Sequence, residues 1–318
     1  MIHTRGLARS FKVKKATVEA VKGVDIDVAE GELVAFLGPN GAGKSTTLRM
    51  LTTLLRPTAG TATVVGHDVR TDPLAVRQNI GYIGQGNGVG HAHKVIDELV
   101  SQGSFYGMTR SAARSRANDL LATLNLSELA KRAGMTLSGG QRRRADIAMG
   151  MMHHPRLLFL DEPSTGLDPQ NRANLAEEIR RLRADFGMTV FLTTHYLDEA
   201  DQLAERVLII DNGEVIAAGT PTELKATLAG DRIELGFADA AIAATAVPRC
   251  EGFAKSGEIT VTESRLSLTV TDGEAVLPRL LRHLDAEGVT VTAANVHIPT
   301  LDDVFLALTG RTLRDEDE

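Results

Sequence analysis

Gly38-Pro39-Asn40-Gly41-Ala42-Gly43-Lys44-Ser45-Thr46 is the stretch from which the fold is read. It matches G-x-x-x-x-G-K-[ST], a pattern that grips phosphates only when a strand precedes it and a helix follows. Leu33–Leu37 is an apolar run of strand length, and residues 45–55 read as the helix. Glycines let consecutive backbone N–H groups converge on a β-phosphate without Cβ clashes, and the helix N-terminus adds a partial positive charge. Lys44 is expected to reach the β- and γ-phosphates, and the Ser45 hydroxyl to ligate Mg²⁺. A glycine-rich turn with no ligand is the alternative; the flanking strand and helix argue against it.

Working outward, Leu157-Leu158-Phe159-Leu160-Asp161-Glu162 is an apolar strand ending in two carboxylates. A buried strand that delivers an acid at its C-terminal end is what a Mg²⁺ site beside a P-loop requires. Asp161 reads as the metal-side carboxylate, and Glu162 as the group that orients or deprotonates an attacking water. These two motifs define a nucleoside triphosphatase without saying which.

Leu137-Ser138-Gly139-Gly140-Gln141 narrows the choice. Ser138 Oγ and the amides of Gly139 and Gly140 sit where a helix should begin, a second anion site too far along the chain to belong to the P-loop. The segment resembles the signature pentapeptide of the ATP-binding subunits of ABC transporters. The resemblance implies that Ser138, Gly139, Gly140 and Gln141 close over ATP held by a second chain. Other motifs of the family follow in order. Gln85, in Tyr82-Ile83-Gly84-Gln85, resembles the loop glutamine that senses Mg²⁺ and the γ-phosphate and leads into the helical lobe touching the permease. Asp168, in Ser164-Thr165-Gly166-Leu167-Asp168, resembles the loop that communicates across the dimer. His195, in Thr193-Thr194-His195, resembles the switch histidine that bonds the γ-phosphate. Phe11 stands where the family places an aromatic on adenine; a core Phe is the other reading.

The family resemblance covers residues 1–228 and implies an α/β P-loop ATPase domain. That domain has a mostly parallel core sheet, an antiparallel β part and a helical lobe at about 86–140. Short apolar runs at 33–37, 157–160, 189–193 and 207–210 suit a sheet covered on both faces. Val24, Ile26 and Val28 alternate with polar residues, as a half-exposed strand would. Residues 95–131 read as polar helices.

From about 229 the period-2 signal takes over. Ile233/Leu235/Phe237, Ile259/Val261, Leu266/Leu268/Val270 and Val289/Val291 mark four strands. An Ala-rich segment at 239–247 and a helix with Val276, Leu280, Leu281 and Leu284 on one face separate them. The order β-α-β-β-α-β is the ferredoxin-like pattern, expected as a small α+β accessory domain at 229–310. A last helix, 301–308, follows Pro299, with Thr300 as N-cap and Asp303 at N3. Residues 311–318 read as a solvated acidic tail. Thr194–Asp201 and Leu301–Gly310 resemble the daunorubicin/doxorubicin-resistance subfamily, some of whose members carry Gln at the switch position. His195 here favours hydrolytic competence. The last helix either packs on its own domain or makes a regulatory or dimer contact.

The 318 residues suggest about two domains, and Lys plus Arg of 35 against Asp plus Glu of 41 leaves −6. A net acidic chain argues against an electrostatic grip on nucleic acid, so Arg142-Arg143-Arg144 reads as a solvated helix face. The single Cys250 excludes an intrachain disulfide and zinc sites of paired cysteines, and fits a reducing compartment. It reads as a small, unreactive side chain. His91, His93, His153 and His154 read as solvated or packed. No apolar run approaches the roughly 18–20 residues of a membrane span, and residues 1–10 hold no secretory core. The expectation is a soluble subunit on the cytoplasmic face of the membrane. Its partners would be a separate permease and a second, head-to-tail copy of itself, with ATP and Mg²⁺ bound and a drug or other hydrophobic compound exported. An ABC ATPase of ribosomes or DNA repair is a second reading; the single cassette and the absence of paired cysteines or long coiled coils weigh against it. A P-loop kinase or GTPase has no use for Ser138–Gln141.

Overall fold

The computed structural model describes residues 1–310, apart from 15, 87, 91, 228–229 and 256–258. The expected tail at 311–318, the 228/229 boundary and His91 therefore lie outside the described residues. The chain divides into two compact units between Pro221 and Thr222.

The first unit opens with two long antiparallel strands, β1 (Ile2–Val13) and β2 (Ala16–Val28). On β2, Val24, Ile26 and Val28 are buried while Asp25 and Asp27 are exposed, the period of a strand with one wet face. β3 (Leu33–Leu37) is buried throughout and runs through the P-loop into α1 (Lys44–Leu51). The helix stops short of the expected residue 55. Thr53 takes a left-handed φ of 63°, and the Leu55 amide turns back to Arg49 O. β4 (Ala59–Val64) and β5 (His67–Asp68) complete a four-stranded antiparallel sheet of order β2-β1-β4-β5. α2 (Pro73–Asn79) has proline at its start, where the missing N–H costs nothing, and delivers β6 (Ile80–Ile83).

The helical region is α3 (Val95–Phe105) and α4 (Arg110–Thr123), the latter capped by Thr109 Oγ1 accepting from Ala112 N–H at 3.3 Å. Beyond it the chain makes short 3₁₀ turns at Ser127–Leu129 and Gly134–Thr136 rather than continuing as helix to 131. Then come α5 (Gly139–Gly150), β7 (Leu157–Asp161), α6 (Pro169–Phe186), β8 (Thr189–Thr194), α7 (Leu197–Leu203), β9 (Arg206–Asp211) and β10 (Glu214–Gly219).

The second sheet has the order β10-β9-β3-β8-β7-β6, parallel except for the edge strand β10. Every residue of β3, β7 and β8 is buried, which is why these strands read as unbroken apolar runs. Phe191 meets Phe36 and Phe159 in this centre, tilted on the first and edge-on to the second, at centroid distances of 5.7 and 5.8 Å. Each contributes about 1.5–3 kcal/mol by burial. Register then positions the site: Leu37 lies beside Thr194, and Asp161 beside Thr193. The carboxyl ends of β3, β7 and β8 therefore deliver the P-loop, the acids and His195 to one edge, the place where open α/β sheets bind ligands.

The division falls after the first residue of α8 (Pro221–Ala226); the second unit continues through β11 (Asp231–Gly236), α9 (Ala240–Cys250), β12 (Ile259–Thr262), β13 (Arg265–Val270), α10 (Gly273–Ala286), β14 (Ala293–His297) and α11 (Leu301–Thr309). Its sheet order, β12-β13-β11-β14 with antiparallel neighbours, is the expected ferredoxin-like one. Ile233, Leu235, Leu266, Leu268 and Val270 pack against Ala243 and Ala246 of α9 and Leu280 and Leu284 of α10. Cys250 is fully buried in this core, and burial pushes its thiol up to about 11.

The fourth strand is displaced from the expected Val289/Val291. Gly288 ends α10 at φ 72°, and the Val289 amide bonds Leu284 O at 2.9 Å, so Val289 belongs to the helix cap. The strand starts later, with Ala294 and Val296 turned to the core. α11 carries the expected capping box: Thr300 Oγ1 accepts from Asp303 N–H (3.3 Å), and Asp303 Oδ2 from Thr300 N–H (2.8 Å).

Candidate functional site

Two glycines of the P-loop have no substitute. At Gly38 a Cβ would lie 2.2 Å from Ile210 O; at Gly43, where φ is +106°, it would lie 2.5 Å from Ala20 O. Asn40 and Gly41 form the exposed tip, with the Ala42 amide bonded back to Pro39 O at 3.2 Å and Thr46 part-buried in the first turn of α1. Lys44 is only 4% exposed. Its ammonium donates to Gly38 O (2.7 Å) and Pro39 O (3.0 Å) and lies 3.3 Å from Glu162 Oε1.

Beside it, Ser45 Oγ and Thr193 Oγ1 both donate to Asp161 Oδ1, at 3.0 and 2.8 Å. Asp161 Oδ2 is buried with no partner. Gln85 Nε2 reaches Ser45 Oγ at 3.4 Å. A partnerless buried carboxylate oxygen, a hydroxyl and a side-chain amide make a donor set of hard oxygens. That fits a magnesium ion held by one carboxylate together with substrate phosphates. No group of three or more His, Cys, Asp or Glu able to hold a metal occurs among the described residues.

Glu162 is a non-glycine residue at φ 47°, a conformation that costs of order 1–3 kcal/mol. The neighbouring strand holds it there: its amide donates to Thr193 O (3.2 Å) and Thr193 Oγ1 (3.0 Å). Its Oε2 lies 3.4 Å from His195 Nδ1 and accepts from Thr165 Oγ1 at 3.3 Å. The nearby His195 imidazole, aided by the charge of Lys44, holds the carboxyl down at about 2 against the opposing effect of burial.

The sequence-selected residues thus fall into one cluster and three outliers. Gly38–Thr46, Gln85, Asp161, Glu162 and His195 meet. Ser138–Gln141 stands elsewhere, at the start of α5. Ser138 caps that helix in a reciprocal box with Gln141, at 3.0 and 3.3 Å. The amides of Gly139 and Gly140, the first two of the helix, have no intrahelical acceptor. Gly140 abuts Asn171, where a Cβ would lie 3.2 Å from Oδ1. Asp168 caps α6, accepting from Asn171 N–H (2.9 Å) and Nδ2 (2.6 Å), and these bonds hold its carboxyl below the usual range. Phe11 lies on β1 outside the buried core, with the Arg9 guanidinium 4.6 Å above its ring.

The arginine run corrects the sequence reading. Arg143 is 7% exposed, not solvated. Its guanidinium donates to Gly84 O (2.7 Å), Pro163 O (2.9 Å) and Asp161 O (3.3 Å). One turn on, Asp146 Oδ1 accepts from the amides of Gly88 and Val89 at 2.9 and 2.7 Å. The helix that begins with Ser138 is therefore fastened to the loop of Gln85 and to the ends of the Asp161–Glu162 segment. Helical spacing carried the signal: Arg143 stands four residues before the apolar Ile147, and both are buried on the inward face. His153 is packed, bonded to Ile80 O at 2.8 Å and stacked on Tyr106 at 3.7 Å.

Residues 21–165 match the ABC transporter family, and residues 219–309 match the C-terminal domain of DrrA1-3-like ATP-binding proteins. The daunorubicin/doxorubicin resistance ATP-binding protein DrrA of Streptomyces peucetius is 43% identical over 320 residues, covering 99% of this chain and 94% of the relative. The chain belongs to the ATP-binding proteins of ABC transporters. The linearmycin resistance ATP-binding protein LnrL of Bacillus subtilis is 37% identical, with 97% of this chain and 99% of LnrL covered. The Nod factor export ATP-binding protein I of Paraburkholderia xenovorans is also 37% identical, with 96% and 97% covered.

Among solved structures, the ATP-binding cassette MJ0796, a dimer in a post-hydrolysis state bound to ADP and Pi, superposes with a TM-score of 0.64. It is 25% identical and covers 69% of this chain and 98% of its own. CbiO1 of Clostridium perfringens, part of the transporter complex CbiONQ, gives 0.65 at 26% identity, covering 71% and 90%. This ABC protein is thus an ATP-binding, ATP-hydrolysing transporter subunit. No described helix is long and apolar enough to cross a membrane.

Proposed function

We propose that this subunit powers export of a drug or other hydrophobic compound through a separate membrane permease, working as a head-to-tail pair at the cytoplasmic face. The observation that carries the ATPase part is the convergence of Lys44, Ser45, Asp161, Glu162 and His195 at one sheet edge. Relatives named for daunorubicin/doxorubicin resistance, linearmycin resistance and Nod factor export support the direction of transport. The dimer of MJ0796 supports the pairing.

In this reading the P-loop from Gly38 to Thr46 wraps the phosphates with its backbone N–H groups, Pro39 having none to give, and Phe11 stacks on adenine. Lys44 leaves Glu162 for the β- and γ-phosphates. Ser45, Asp161 and Gln85 would hold Mg²⁺, which would neutralise developing phosphate charge. His195 turns to the γ-phosphate. Freed of Lys44 and His195, Glu162 rises from its low pKa and orients or deprotonates the attacking water. Catalysis is largely positioning and electrostatics, as in other phosphoryl transfers. Ser138–Gln141 of one chain covers the ATP of the other, and Asp168 signals across the pair. ATP at the interface stabilises the closed dimer by linkage, and hydrolysis opens it.

Affinity capture after gentle solubilisation tests the transport part. A polytopic membrane protein in stoichiometric amount is the expected companion. Ribosomal or DNA-repair proteins in its place would contradict transport while leaving the ATPase reading intact.

A further inference from the structure

Glu199, on α7 four residues past His195, is 3% exposed. Its Oε2 accepts two hydroxyls, from Ser164 (3.0 Å) and Thr194 (2.5 Å), and both donors are themselves 1% exposed. Its Oε1 is buried with no partner. Arg172 acts on it electrostatically, but its guanidinium sits over the Tyr196 ring at 3.5 Å and pairs with Asp198 at 3.5 Å. Burial pushes the carboxyl pKa up. A carboxyl in such a place opposes folding unless its hydrogen bonds fix something.

The two hydroxyls belong to two different loops of the site. Ser164 follows Glu162 on the way to Asp168, and Thr194 directly precedes His195. Thr194 also accepts from the Tyr196 amide through Oγ1 (2.9 Å) and from the Gly38 amide through its carbonyl (3.3 Å). A single carboxylate oxygen therefore joins the loop of Glu162, the loop of His195 and the first residue of the P-loop.

We propose that Glu199 is a positioning residue for ATP hydrolysis: by holding Ser164 and Thr194 together it sets the separation of Glu162 and His195 across the γ-phosphate. This rests on the ATPase reading above. Glu199 is buried and acts through Ser164 and Thr194, so its removal disturbs turnover more than ATP binding, which the P-loop provides.

The test is steady-state ATP hydrolysis by the full-length chain and its Glu199→Ala and Glu199→Gln variants, with melting temperatures alongside. Glu199→Ala is expected to lower kcat about tenfold or more while KM for ATP changes less than about twofold. Glu199→Gln keeps an acceptor oxygen for both hydroxyls and recovers most of the loss. Unchanged kcat in Glu199→Ala would overturn the proposal. So would a loss that Glu199→Gln shares in full and that follows KM and melting temperature, since that is the pattern of a merely structural residue. If Glu199→Ala does not fold, Ser164→Ala decides: kcat lowered at least about threefold at constant KM supports the inference, and unchanged kcat removes it. A wild type without any turnover would instead overturn the ATPase reading itself.

Discussion

The Lys44 ammonium lies 3.3 Å from Glu162 Oε1, so the phosphate-binding cation and the candidate base are paired with each other. Both are largely buried, and each satisfies a charge the other would otherwise leave exposed to a low-dielectric site. In the proposed function ATP breaks this pair on binding. Lys44→Ala is therefore expected to weaken MgATP binding by at least about tenfold, the loss of one charge-assisted contact. Isothermal titration checks it; binding at wild-type strength would contradict the P-loop assignment.

The same pair makes stability depend on pH in the nucleotide-free chain. Glu162 is held at about 2, below the ordinary 4.5, by His195 and then Lys44. A depressed carboxyl stabilises the fold fully above its unfolded pKa and loses that contribution as protons reach it. The difference in urea midpoint between wild type and Glu162→Gln is expected to be constant above about pH 5 and to shrink between about 4.5 and 2. A difference that grows on acidification would show that Glu162 is not paired in solution.

Arg143 is the second buried cation with a defined task. Arg143→Met leaves the carbonyls of Gly84, Asp161 and Pro163 without their donor. A loss of about 1–3 kcal/mol in unfolding free energy is expected. Lys cannot restore the three-way fork, because its point charge lacks the planar donor set. Denaturant titration of both variants measures this; full rescue by Arg143→Lys would mean that charge alone matters.

In the second unit, Thr300→Ala removes one half of the capping box of α11. The expected cost is about 1 kcal/mol, read as a lower melting temperature of that unit. No change would mean that burial of Leu301, Val304 and Phe305 holds the helix without its cap.

The strands and the P-loop were legible because burial on both faces leaves a continuous apolar imprint, as in Leu33–Leu37 and in Leu157–Asp161. The antiparallel strand β2 was legible through its alternation. Arg143 and Glu199 were not, because a charged side chain reads as solvated unless the carbonyls or hydroxyls it meets, distant in sequence, are known. The fourth strand of the second unit was misplaced for a local reason: Val289 alternates with Val291 but serves the cap of the preceding helix. Ser138–Gln141 was recognised by its motif, and the structure shows it as the cap and first turn of α5.

The most direct test of the central claim, that Lys44 exchanges Glu162 for the phosphates of ATP and so frees it to activate water, is Glu162→Gln assayed for both ATP affinity and turnover. The account predicts MgATP binding at least as tight as wild type, because the competing anion is gone, an ATP-stabilised dimer, and turnover reduced by about 10²-fold or more. Undiminished turnover, or ATP binding weakened in step with turnover, would contradict it.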